Sequence, residues 1–140
     1  DYDDAAAHSM AAAYAARSAG LEVQAKAYRD HAARILAAMQ KAGFTHTAYR
    51  ALGWAMLEAY DGREEAAAQS LIAAIPGEPH LFLVVQQEPL LAEVLKRPDV
   101  QTAIASEKAR AEVQRVDVLA ILCSPSSDWK TFRTATGTCG

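Results

Sequence analysis

Four histidines, His8, His31, His46 and His80, are the side chains best placed by type to hold a metal or move a proton. Two ligands on one helical face need a spacing of three or four, and no two of these histidines have it; His-Glu-x-x-His and Glu-x-x-His are also absent. His8 and His31 lie on the two helices of one hairpin, so an approach across it is the remaining route to a metal or haem site. Ser127-Asp128-Trp129-Lys130 has the Ser-x-x-Lys spacing of serine acylases, but that chemistry needs further motifs the chain lacks, and a serine capping a short helical turn accounts for it. Glu64-Glu65 could act as paired carboxylates; at a helix start they more simply favour the positive end of its dipole. There is no Gly-rich phosphate loop and no Gly-x-Ser-x-Gly. Neither a catalytic residue nor a cofactor is assigned.

The two cysteines, Cys123 and Cys139, flank a loop-like C-terminal stretch. Such a pair suits a disulfide, worth about 3 kcal/mol in the chain-entropy model. The alternative is two unrelated thiols. With the bridge goes an oxidising compartment, so a periplasmic or secreted protein is expected, a cytoplasmic one being the alternative. A start at Asp1 fits a mature chain that has lost a signal peptide, or a shortened one.

The elements that would position these residues are helical. Apolar residues make up 51% of the chain and alanine dominates its first half, which favours closely packed helix over sheet. Tyr49, Leu52, Met56, Ala59 and Tyr60 recur at helical steps, Asp61-Gly62 stops that helix, and Ala67, Leu71, Ala74 and Ile75 form the stripe of the next. Before this hairpin, a first helix is expected from Asp3 to Ala19, with Gly20 ending it. A second runs from Leu21 to Ala42 with a seam of Leu21, Ala25, Tyr28, Ala32, Ile35 and Met39. Gly43 breaks the chain, and Phe44 with Thr45 or Thr47 can staple and cap the third helix.

Beyond Pro76-Gly77-Glu78-Pro79 the character changes. His80 to Gln87 reads as a short buried helix with a strand as the alternative, and Pro89 to Arg97 as another short helix. Asp99 to Leu122 is the last long helix. Its polar middle, Ser106 to Arg110, and its apolar second half, Val113, Val116, Leu119, Ala120 and Ile121, imply that one end packs more deeply than the other, with Cys123 at a buried end. Trp129 and Phe132 carry a final turn in the tail. The whole is an all-α chain of about five to seven helices, either an irregular bundle or stacked helical hairpins.

A shift of 42 positions sets Met10 on Leu52, Tyr14 on Met56, Gly20 on Gly62, Glu22 on Glu64, Ala25 on Ala67 and Ala32 on Ala74. An internal repeat of helical hairpins is one reading, and alanine abundance the other. Leu52-Gly53, Met56, Gly62, Ala66 or Ala67, and Pro76 together make the central hairpin resemble a tetratricopeptide-type hairpin over about residues 45–76. The first hairpin lacks the Leu-Gly pair and the closing proline. The resemblance implies a protein-binding scaffold without chemistry.

A net charge of −3 with basic residues scattered among acidic ones gives phosphate no global attraction, so no nucleic-acid partner is expected. No apolar run reaches membrane-spanning length. The leading expectation is therefore a non-enzymatic protein-binding helical domain, of the exported bacterial inhibitor, immunity or accessory kind. Trp54, which projects off the Leu52, Met56, Tyr60 stripe, and Arg50 are its candidate binding residues. Two alternatives stand beside it: a bundle binding a small molecule, haem or metal in a cavity lined by Tyr14, Tyr28, Tyr49, Trp54 or Phe82, and an enzyme whose site is gathered from distant helices.

Overall fold

The computed structural model describes residues 5–43, 47–76 and 85–124. These form an all-α fold of α1 (Ala5–Ser18), α2 (Glu22–Lys41), α3 (Thr47–Tyr60), α4 (Glu64–Ala74) and α5 (Pro98–Leu122), with single 3-10 turns at Pro89–Leu91 and Val94–Lys96 before α5. No strand occurs among the described residues.

The two hairpins, α1–α2 and α3–α4, are closed by the same turn. Leu21 N–H donates to the Ala16 carbonyl at 2.9 Å and Gly20 N–H to Arg17 at 3.0 Å; Arg63 N–H donates to Glu58 at 2.8 Å and Gly62 N–H to Ala59 at 3.1 Å. This is the Schellman pattern, which satisfies the last carbonyls of one helix and requires a left-handed residue, here Gly20 and Gly62, both at φ 74°. Leu21 and Arg63 then open the following helices with matching backbone angles (φ −92° for both, ψ 66° and 67°). Neither caps its helix with a side chain; Glu22, Glu64 and Glu65 place negative charge in the first turns instead. The 42-residue register extends to burial. Ala13 and Ala55, Ala25 and Ala67, and Ala32 and Ala74 are all fully buried pairs.

Helix α3 is the centre of the fold. It touches α1, α2, α4 and the first 3-10 turn. Leu52, Gly53, Ala55, Met56 and Leu57 are buried almost in sequence, as expected of a helix covered on most sides. Gly53 permits the closest approach: a Cβ there would lie 3.0 Å from Leu36 Cδ2 and 3.3 Å from Ala6 Cβ. The alanines of α1, α2 and α4 do the same elsewhere, since small side chains let helix axes come together. In α4 the expected stripe of Ala67, Leu71, Ala74 and Ile75 is buried throughout.

The α2 seam differs from the sequence expectation. Ala25, Ala32 and Met39 are buried, but Leu36 takes the place expected for Ile35, which is half-buried, and Leu21 and Tyr28 are 49% and 45% exposed. Leu21 sits in the turn, ahead of the interhelical contact, and Tyr28 lies at the margin of the face centred on Ala25, Ala32 and Leu36. The narrow alanine face lets α1 and α2 pack closely and leaves the larger side chains at its edge.

Between Pro89 and Arg97 the chain makes 3-10 turns, not the expected short α-helix. Leu91 N–H donates to the Glu88 carbonyl at 3.1 Å and Arg97 N–H to Val94 at 3.2 Å, both three residues back. Arg97 then ties the start of α5 to α4, forking onto Asp99 at 3.1 and 3.0 Å and reaching Glu65 at 2.5 Å. These two carboxylates hold the Arg97 guanidinium well above its ordinary pKa, Asp99 first and Glu65 second.

The deeper end of α5 is its first half. Val100, Ile104 and Glu107 are buried, whereas Val113, Val116, Val118 and Ile121 are 53–69% exposed apart from Val118 at 52%. Helix α5 packs against α4 and the second 3-10 turn, and its buried residues all lie between Val100 and Glu107. Cys123 is accordingly half-buried, at a helix end less covered than the apolar sequence around it implied. The expected short helix from His80 lies mainly outside the described residues, as do Phe44, Thr45, His46 and the tail with Trp129, Phe132 and Cys139.

A charged cleft at the hairpin junction

Because the hairpins lie side by side, the Gly20 turn is brought beside the C-terminus of α3. Arg17, Glu22, Lys26, Arg29, Asp30, Tyr60 and Asp61 line a cleft of about 350 Å³ there. Three cations and three carboxylates face one another across it, with one buried aromatic ring.

Arg17 Nη1 donates to the Tyr60 carbonyl at 3.1 Å, and its guanidinium lies 3.3 Å from the centroid of the Tyr60 ring. The cation thereby meets the negative end of the α3 dipole and the π-face of a tyrosine that is only 7% exposed. Arg29 forks onto Asp61, Nε to Oδ1 at 3.1 Å and Nη2 to Oδ2 at 2.5 Å, and joins α2 to the second turn. Its remaining Nη1 reaches Asp30 at 3.3 Å, and Lys26 Nζ reaches the other Asp30 oxygen at 2.5 Å. The hydrogen bond from Lys26, with a smaller contribution from Arg29, holds the Asp30 carboxyl below its ordinary pKa. The hydrogen bonds that Arg29 donates to Asp61, with the one to Asp30 adding to them, raise the Arg29 pKa above its ordinary value. Arg63 approaches Asp61 from the far side at 3.5 Å. Glu22 stands at the rim as a lining carboxylate with no ion pair among the described residues.

The sequence makes the Lys26–Asp30 pair visible as two charges one turn apart. It does not show Arg29 meeting Asp61, 32 residues away, or Arg17 meeting Tyr60, 43 residues away. The legible signal was the 42-residue register: hairpins that repeat and stack bring their glycine turns to the same end of the molecule.

Trp54 is half-buried and packs against the core, and Arg50, one helical turn earlier, is also half-buried. They are therefore not a freely projecting pair. Of the aromatic residues expected around an apolar cavity, Tyr14 is half-buried and Tyr28 exposed, while Phe82 and the side chain of Tyr49 lie outside the described residues. His8 and His31 are both exposed, and no group of three or more metal-ligating side chains occurs among the described residues. Cys123 follows α5, its N–H donating to the Leu119 carbonyl at 2.8 Å; its proposed partner Cys139 lies outside the described residues. No helix of the described residues is long and apolar enough to cross a membrane.

Comparison with known proteins found no family model, no curated protein and no solved structure that matches the chain.

Proposed function

We propose that this chain is a non-enzymatic, protein-binding helical domain that uses the charged cleft at its hairpin junction as part of the contact surface. The observation that carries this is the lining of the cleft, where Arg17, Lys26 and Arg29 alternate with Glu22, Asp30 and Asp61. Small-molecule sites are mostly apolar with a few placed polar groups, and this cleft is the reverse. A surface of mixed charge instead favours a polypeptide that presents both signs, for which complementarity fixes register and selects the partner. Stacked helical hairpins offer a rigid frame for such a contact, in keeping with the tetratricopeptide-like look of residues 45–76. Half-buried Trp54 and Arg50, which do not line the cleft, remain in this proposal as separate contacts through their exposed edges.

The domain is further proposed to be exported, in the manner of bacterial inhibitor, immunity or accessory proteins, on the strength of a Cys123–Cys139 bridge. The test is capture of partners from the native source, with the intact mass of the purified protein measured under native conditions. A specific protein partner and a mass equal to that of the chain support the proposal; a retained small molecule, haem or metal in the mass would overturn it.

A further inference from the structure

Six charged side chains line the cleft, and the fold matches four of them to one another. Lys26 closes on Asp30 at 2.5 Å, and Arg29 forks onto Asp61 at 3.1 and 2.5 Å. Two are left over. Arg17 has no carboxylate partner among the described residues, its contacts being the carbonyl and the ring of Tyr60. Glu22 has no cation, because Lys26, which stands one turn from both Glu22 and Asp30, is engaged by Asp30. Arg17 and Glu22 do not pair with each other either, although they flank the same Gly20 turn, in the last turn of α1 and the first turn of α2.

This division decides what the cleft can select. A charge brought to a matched pair is attracted by one member and repelled by the other, so it gains little. A charge brought to Arg17 or Glu22 meets no such opposition. Given the cleft as a contact surface, on which this rests, we infer that it reads a short partner segment carrying an acidic side chain for Arg17 and a basic side chain for Glu22. The four matched charges frame the site and reject a run of one sign: an all-acidic segment meets Glu22, Asp30 and Asp61, and an all-basic one meets Arg17, Lys26 and Arg29. A cleft of about 350 Å³ is at the small end of binding sites and takes a few residues of a loop. At roughly 3.3 Å per extended residue, the acid and the base therefore lie within about four positions of each other.

Selection of a phage-displayed random-peptide library on the full chain at low ionic strength tests this, followed by anisotropy titration of the winning peptide made synthetically. The winner should carry an acidic and a basic residue at that spacing. Replacing its basic residue by Gln should weaken binding to wild type by about tenfold and leave binding to Glu22→Gln unchanged; replacing its acidic residue by Gln should do the same for wild type and Arg17→Gln. Exchanging the basic residue for Glu should make the peptide prefer Glu22→Lys over wild type. Winners of a single sign, or the absence of any binding peptide, would overturn the inference while leaving a wider contact surface open to a captured partner. A winner weakened by Lys26→Met but indifferent to the Arg17 and Glu22 variants would overturn it and keep the cleft as a contact surface; indifference to all three would count against the cleft as well. Coupling between Arg17→Gln and Glu22→Gln in the stability of the free protein would also contradict it, since the two would then already be partners.

Discussion

The guanidinium of Arg17 lies 3.3 Å from the centroid of the Tyr60 ring and donates to the carbonyl oxygen of that same residue, 43 positions later in the chain. One side chain from the first hairpin thus covers both the aromatic face and the dipole end of the central helix of the second. Replacing it tests how far the hairpins are held together by this contact. Arg17→Ala should lower stability by about 1 kcal/mol, since the contact is part-exposed and includes one hydrogen bond and one cation–π pair. Arg17→Lys should recover less than half, because an ammonium cannot lie flat on the ring while donating to the carbonyl. Chemical denaturation of the three proteins measures both differences.

Gly53 is where α3 comes closest to the first hairpin. A methyl group there would relieve the entropic cost of glycine in a helix, by about 0.5–1 kcal/mol, but would press on the fully buried Leu36 and on Ala6. Gly53→Ala should therefore be destabilising by only about 1 kcal/mol, whereas Gly53→Val, with two further methyls and a smaller helical gain, should cost about 3 kcal/mol. Thermal unfolding that ranks valine equal to alanine would show that the helices separate freely at this point.

Burial pushes the carboxyl of Glu88 above its ordinary pKa, and the nearby His8 only partly opposes this. A carboxyl whose folded pKa is raised binds its proton more tightly in the folded chain, so its contribution is most favourable below the ordinary carboxylate range and fades as pH rises through the folded value. Glu88→Gln should accordingly raise the melting temperature at pH 7 and have little effect at pH 4. The opposite sense applies to Asp30, Asp99 and Glu112, each held below its ordinary pKa chiefly by a hydrogen bond to a cation, Lys26, Arg97 and Arg115 respectively. Their stabilisation is present at neutral pH and is lost as pH falls below the ordinary carboxylate range.

The proposed Cys123–Cys139 bridge closes a loop on the end of α5. Reduction should lower stability by up to about 3 kcal/mol, less where the released tail keeps residual structure. A thiol count on denatured, unreduced protein should find none, with the mass of a single chain. Two reactive thiols per chain would remove the bridge and with it the ground for export.

Much of this architecture was legible in the sequence for a local reason: helix ends are written in short-range chemistry. Gly20 and Gly62 mark their turns because the Schellman pattern needs a left-handed residue, and the α4 stripe follows from helical periodicity alone. What was not legible depended on neighbours. Val113, Val116 and Ile121 read as buried by type, yet the body ends before it reaches them. Ile35 gave way to Leu36 because alanines, not the bulkiest residues, set the α2 face. The cleft escaped for the same reason, its two tertiary contacts joining residues 32 and 43 positions apart.

The proposal that the cleft is a protein-binding surface is tested most directly by the affinity of a captured partner for the wild type and for Glu22→Lys, measured by titration calorimetry. Glu22 lines the cleft and is exposed, so reversing its charge alters the contact surface while leaving the Arg29–Asp61 and Arg17–Tyr60 contacts in place. The expected result is a loss of affinity of about tenfold or more, with the melting temperature unchanged. Equal affinity for the two proteins would contradict the proposed surface.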